Sequence, residues 1–447
     1  MGRSIATLFS CIGLMAASAL VPAAAVAGPV LLISIDGLRP GDVIEAKARG
    51  LSIPNLKALV KDGAYAQTVR GVLPTLTYPS HTTIVTGVWP AQHGIVNNLT
   101  FDPLQKNRQG WYWYAEDIKV PTLWAAAHKG GMKVVNVHWP VSVGAEGIDL
   151  NLPQLWTSGS PDDRKLNRAL ATKGLTERLE AKIGAYADGI DESVEGDENR
   201  GKFAEALMAD EKPGFATVYF TGLDHVQHES GPDTPEAHAA LERIDTAVGK
   251  VIAAARKAQP NINVVIVSDH GFAPISKDVN LIGAFIQAGL IKVDMATGKV
   301  LSWEAEPWMA GGSSAIVLAR PDDAALRARV EGLLDALKAN PELGVDRWIK
   351  QDEIAALGGG GAQYFLNFKP GFQSGRNPAA PAVSASVSKG MHGYFPELGL
   401  MRSTLIAAGP DIKAKGALGE LDMRDIAPSI ARVLGVEAPN PGRKPVF

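Results

Sequence analysis

Cysteine is all but missing: the 447 residues hold one, Cys11. It falls in an N-terminal stretch that reads as a secretory signal, so the chain expected after processing has none. In that stretch Arg3 is the only charge, a mostly apolar run covers Ile5 to Leu20, and Ala25-Val26-Ala27 offers the small residues a signal peptidase accepts. An exported protein without cysteine cannot use disulfides or thiolate metal sites, so any metal must be held by Asp, Glu and His. Long apolar runs are missing too. The N-terminal one is shorter than the ~20 residues that cross a bilayer, and no later stretch is longer, which argues against a membrane anchor once residues 1–27 are removed. Basic charge is not in excess: without Arg3 the chain has 43 basic and 47 acidic residues, a net charge of −4. With no basic run, nothing favours a stable nucleic-acid partner. Internal repeats and low-complexity tracts are also lacking.

What is present is the pattern of a globular α/β protein, with 46% hydrophobic and 20% charged residues. Short apolar runs alternate with amphipathic stretches, which predicts a mainly parallel central sheet flanked by helices. The strand candidates are Val30–Ile35, Val134–Val137, Phe215–Phe220, Asn263–Val267 and Leu405–Ala408. Helices are expected over Ser80–Thr86, Val120–His128, Thr234–Ala258, Ala324–Ala339 and Arg424–Leu434. The helix from Ala324 carries Leu326, Val330, Leu333, Leu334 and Leu337 on one stripe. Residues 28–447 are expected to form one catalytic domain. Within it, about 275–387 reads as an inserted, smaller cap subdomain, with a strand over Ala315–Ala319, glycine runs at 311–312 and 358–361, and chemistry on both flanks but none within.

Three strand candidates run into acidic residues. Val30–Ile35 leads to Asp36, Phe215–Phe220 to Asp224, and Asn263–Val267 to Asp269-His270-Gly271. In a parallel sheet the carboxyl ends of the strands line one edge, where ligands bind. Carboxylates gathered there repel one another unless cations neutralise them, and nearby histidines are the usual partners of a transition metal. A lone Asp after a strand is more often a turn residue or cap. His228, four residues after Asp224 on the same helical face, and His392-Gly393 complete a constellation in which coincidence becomes unconvincing.

In this order the segments resemble the alkaline phosphatase superfamily, and within it the nucleotide pyrophosphatase/phosphodiesterase family. The matching stretches are Ser34-Ile35-Asp36-Gly37-Leu38-Arg39, Pro74-Thr75-Leu76-Thr77-Tyr78-Pro79-Ser80-His81 with Thr86-Gly87, and His93-Gly94-Ile95-Val96-Asn97-Asn98. They continue through Trp139-Pro140, Asp224-His225-Val226-Gln227-His228, Ser268-Asp269-His270-Gly271-Phe272 and Met391-His392-Gly393-Tyr394. The resemblance implies an alkaline phosphatase-like fold with two Zn2+ per chain. One would be held by Asp224, His228 and His392, the other by Asp36, Asp269 and His270 with the Thr77 hydroxyl. It makes Thr77 the nucleophile of a phospho-threonine mechanism, Asn98 a donor to a non-bridging phosphate oxygen, and Tyr78 a stacking surface for a base.

Physical chemistry supports the Thr77 role. A threonine hydroxyl needs a metal or base to attack at neutral pH, and a following helix favours an anion at its N-terminus. The implied function is an exported phosphodiesterase or nucleotide pyrophosphatase, periplasmic or secreted, acting on a small phosphoester, a nucleotide above all. A phosphomonoesterase or phosphonoacetate hydrolase of the same superfamily remains open, as does an exported metal-dependent anion-binding protein. Monoesterases add a Lys/Arg pair for the extra charge, for which Arg164-Lys165 and Arg168 are the nearby candidates. The family's Pro-Asn-His and Trp-Pro-Gly-Ser appear here as Pro79-Ser80-His81, expected to change a helix cap, and Trp139-Pro140-Val141-Ser142, which leaves substrate identity open.

Overall fold

The structure, a computed structural model, describes Met1 and residues 28–107, 110–155, 162–187, 191–294, 296–375 and 377–447. The expected signal segment, with Cys11, lies outside the described residues. The central sheet is built from β1 (Val30–Ile35), β2 (Ala64–Tyr65), β3 (Val134–Val137), β4 (Leu150–Leu152), β5 (Phe215–Phe220), β6 (Asn263–Val267), β7 (Leu405–Ala408) and β8 (Gly416–Ala417). Their order across the sheet is β8-β2-β7-β6-β1-β5-β3-β4. The strands from β6 to β4 are parallel, whereas β7 runs antiparallel to β6 and β2.

Strands covered on both faces read as unbroken apolar runs. All six residues of β1 are buried, Leu31, Ile33 and Ile35 in one core and Val30 and Leu32 in another. The main helices are α1 (Pro54–Asp62), α2 (Thr77–Thr86), α3 (Val194–Glu211), α4 (Gly222–Ser230), α5 (Pro235–Ala258), α6 (Ala324–Ala339) and α7 (Ile426–Leu434). The first core packs α1, α3 and α5 on the sheet; the second packs α2 and α7 on its other face. In α5 the Thr234 hydroxyl accepts from Ala237 N–H, Pro235 opens the helix, and Leu241, Ile244, Val248, Val251 and Ala255 form the buried stripe.

Between β6 and β7 a second cluster of elements has its own core. Ala305–Ala310, Ser313–Leu318, Tyr364–Phe368 and Val345–Lys350 form an antiparallel sheet in that order. Helix α6 buries Leu326, Val330, Leu334 and Leu337, while Leu333 is only partly covered. The strand Ala273–Val279 pairs with Gly390–Met391, which joins the two ends of this segment beside the main sheet.

Some element boundaries differ from the sequence expectation. Helix α2 starts at Thr77, three residues before Ser80, because Pro79 sits in the first turn, where its missing N–H costs nothing. The stretch expected as a helix from Val120 becomes helical only at Leu123, after the Thr122 cap. The first turn of the Arg424 stretch is a 3-10 turn, Met423–Asp425, before α7.

Candidate active site

The three acid-bearing strands are immediate neighbours. β1 lies between β5 and β6, with Ile35 opposite Phe220 and Ser34 opposite Val267. Asp36 follows β1 directly, Asp269 stands two residues past β6, and Asp224 lies in the first turn of α4. All three therefore leave the same edge of the sheet. His228 lies one turn further along α4, and His392 arrives from the far end of the segment between β6 and β7.

Two groups of donor atoms result, each within 4.8 Å: Asp36, Asp269 and His270, and Asp224, His270 and His392. His270 thus stands between the groups instead of belonging to one. Its Nε2 is 3.0 Å from Asp269 Oδ2 and 3.4 Å from Asp36 Oδ1, and its ring stacks on His392 at 3.6 Å. His228 faces Asp224 Oδ2 at 3.3 Å, and His392 faces Asp224 Oδ1 at 3.7 Å.

The surroundings aim these atoms inward. On all three imidazoles Nδ1 faces a backbone carbonyl: Gly390 at 3.0 Å for His228, Gly271 at 3.2 Å for His270 and Thr75 at 3.0 Å for His392. That arrangement turns Nε2 of each ring toward the carboxylates. Tyr219 donates its hydroxyl to Asp36 Oδ2, and Gly37 and His270 N–H groups donate to Asp269 Oδ1 at 3.2 and 3.0 Å. The other oxygens, Asp36 Oδ1, Asp269 Oδ2 and Asp224 Oδ1, are buried with no hydrogen-bond partner among the described residues. Buried anionic oxygens without donors are costly, and cations would satisfy them.

Electrostatics agrees. Burial, then Asp224 and Asp269, push the Asp36 carboxyl well above the usual carboxylate range. Burial also pushes up on Asp224 and Asp269, but the groups around them, His228 foremost at Asp224 and His270 foremost at Asp269, together hold both below their ordinary value. Burial, then His270, lowers His392 to about 3. His392 is thus disposed to be a neutral ligand, and the donor set fits borderline cations such as zinc.

Thr77 is the first residue of α2, and its Oγ1 lies 3.4 Å from His270 Nε2. Tyr78 N–H donates to Asn98 Oδ1 at 2.9 Å, holding the Asn98 side chain at the start of the same helix. The Tyr78 ring itself corrects the sequence expectation. It is 1% exposed, its hydroxyl donates to Gln154, and Trp111 lies 5.4 Å away, so it presents no open face for a base. Ser80 is likewise no cap: it is buried inside α2, one turn past its start. Of the cations considered for a monoester, Lys165 pairs with Asp162 and Arg168 with Glu180.

Sequence reading missed three features. Tyr219 was a polar tip in a buried strand, and Gln227, 1% exposed on α4, was a buried amide between two ligand candidates. The run Trp111-Tyr112-Trp113 packs half-buried against Tyr78, Ile95 and Val141, and its aromatic density was the signal that was overlooked.

A parallel sheet with acids and imidazoles gathered at one edge, beside a hydroxyl at a helix N-terminus, defines an α/β protein with a candidate two-cation site. The model for type I phosphodiesterase / nucleotide pyrophosphatase matches residues 30–356, and the chain belongs to this family. Human ectonucleotide pyrophosphatase/phosphodiesterase family member 1 is 28% identical over 54% of this chain and 23% of its own length. The bis(5'-adenosyl)-triphosphatase of Bos taurus is 26% identical over 60% of this chain and 52% of its own. The chain thus spans about half the length of these curated relatives, or less. Murine ectonucleotide pyrophosphatase/phosphodiesterase 5, solved as an inactive variant in complex with AMP, superposes with a TM-score of 0.65 at 19% identity, covering 93% of this chain and 97% of that one. That likeness carries the alkaline phosphatase-like fold. No helix among the described residues is long and apolar enough to cross a membrane.

Proposed function

We propose that this chain is an exported, two-zinc phosphodiesterase or nucleotide pyrophosphatase that works through a phospho-threonine intermediate. The observation that carries the proposal is Thr77 Oγ1, 3.4 Å from His270 Nε2, beside three buried carboxylate oxygens that lack donors. Asp224, His228 and His392 would hold one ion, and Asp36, Asp269 and His270 the other, with His270 lying close enough to both groups to be shared. Two zinc ions so held would supply Lewis acidity, favouring ionised Thr77 and the charge developing on the leaving oxygen. Thr77 attacks phosphorus in line as the bond to the leaving oxygen breaks, and the Asn98 amide N–H steadies a non-bridging oxygen beside the positive end of the α2 dipole. Water then displaces Thr77 and releases the retained phosphate.

A diester suits this site better than a monoester. Its phosphorus carries one negative charge, and Lys165 and Arg168 are already engaged with carboxylates. AMP in the murine neighbour supports a nucleotide substrate. Since Tyr78 is covered, the half-buried Trp111, Tyr112 and Trp113 that pack around it are the rings we propose to meet a base. Chelation should abolish hydrolysis of a chromogenic diester, and zinc should restore it better than magnesium. Full activity in magnesium alone, or a monoester rate above the diester rate, would overturn the proposal. Export predicts a mature protein whose mass begins at Gly28, and an uncleaved chain would count against it.

A further inference from the structure

We propose that Gln227 is a positioning residue that sets the separation between the two cation sites. The inference rests on the two-cation reading above. Helix α4 carries Asp224 and His228, and Gln227 lies three residues after the first, so all three share one side of the helix. An amide that is 1% exposed needs a reason, and its partner supplies one: Nε2 donates to the Gly37 carbonyl at 3.1 Å.

Gly37 is the residue after Asp36, and its own N–H donates to Asp269 Oδ1 at 3.2 Å. One glycine is therefore gripped from both sides, by the helix that carries one donor group and by a carboxylate of the other. The approach is close enough to demand glycine. Gly37 has φ +66°, and a Cβ there would stand 2.8 Å from Gln227 Nε2 and 3.1 Å from Phe272. On its other side, the backbone of Gln227 abuts Gly390, whose carbonyl faces His228 Nδ1. The N-terminal end of α4 is tied separately, by Asp197, which accepts from Thr221 and Gly222 N–H groups at 2.9 and 2.6 Å. Gln227 is thus a side-chain link from the middle of α4 to the Asp36 loop.

Two cations acting on one phosphoryl group need a spacing of about 4 Å. Here their donors come from different elements, so a small turn of α4 about its fixed end would change that spacing. The Gln227 amide opposes such a turn.

The test is zinc binding at equilibrium, read as metal content after dialysis against buffers of fixed free zinc. The full chain and its Gln227→Met variant, which keeps the side-chain length without the donor, are compared. Wild type should take up two equivalents. The variant should need about ten- to a hundredfold more free zinc for its second equivalent, with thermal unfolding of the metal-free protein unchanged. Two equivalents taken up by the variant at unchanged free zinc, or a loss confined to metal-free stability, would overturn the inference and leave the proposed function standing. A wild type that holds no zinc would overturn both. Should the methionine variant not fold, Gln227→Asn, whose amide stops one methylene short, carries the same test.

Discussion

The donors around Asp36 and those around Asp224 differ in how they are held. Asp36, Asp269 and His270 stand directly behind adjacent strands, are 0–3% exposed, and are braced by Tyr219, Gly37 and backbone N–H groups. Asp224, His228 and His392 come from one helix and from the far end of the long segment between β6 and β7, and the His228 side chain is 26% exposed. The comparison teaches that strand ends alone can preorganise one half of such a site. The other half depends on how separate elements pack. Thr77 lies where the halves meet.

Removing the hydroxyl at that meeting point should have the largest effect. Thr77→Ala is expected to lose about 10³-fold or more in kcat on a chromogenic diester, while Thr77→Ser keeps a measurable rate. An alanine variant close to wild type would remove Thr77 as nucleophile. Next comes the asymmetry itself. Asp36→Asn should weaken zinc binding by about a hundredfold or more, whereas His228→Gln should cost nearer tenfold, because water can reach the vacated position. Equal losses in a zinc titration would break the comparison. Asn98→Ala touches neither group and should cost about 10²-fold in kcat with zinc content unchanged. A fall in bound zinc would instead make Asn98 part of the metal framework.

The smallest effect concerns stability and contrasts the site with His93, a buried histidine outside it. Its Nε2 lies 3.0 Å from Thr83 Oγ1, and burial lowers its pKa from 6.5 to about 3. The unfolded chain takes up this proton near pH 6.5 and the native protein does not. Stability is therefore full above that pH and falls as the pH drops from about 6.5 toward 3. Denaturant unfolding of the metal-free protein should show the slope, and His93→Gln should flatten it in part. An unchanged slope would mean that other groups carry the acid sensitivity.

Much of the floor of the site was legible in the sequence. The five strand candidates coincide with strands because each is a short apolar run buried on both faces, and the residues that end three of them carry the acids. Direction was not legible: Leu405–Ala408 has the same composition as its neighbours yet runs antiparallel, since burial sets composition and connectivity sets direction. The start of α2 was placed at Ser80, just past Pro79, which breaks helix interiors but sits comfortably in a first turn. The wall of the site was hidden as well. An aromatic beside a nucleophile reads alike whether it faces a ligand or the core, and Trp111, Gln154 and Val141 are what cover Tyr78.

The sequence by itself determined the chemistry available: a family of segments in fixed order, acids at strand ends, histidines in place of cysteines, and a threonine where a helix begins. These follow from residue type and local pattern, which act over a few neighbours. Only the tertiary structure decided that His270 stands between both donor groups, that Tyr78 is closed off, and that Gln227 reaches Gly37 across 190 residues. Such contacts depend on how strands and helices pack at a distance, and the local sequence carries no energy term for them until the chain has folded.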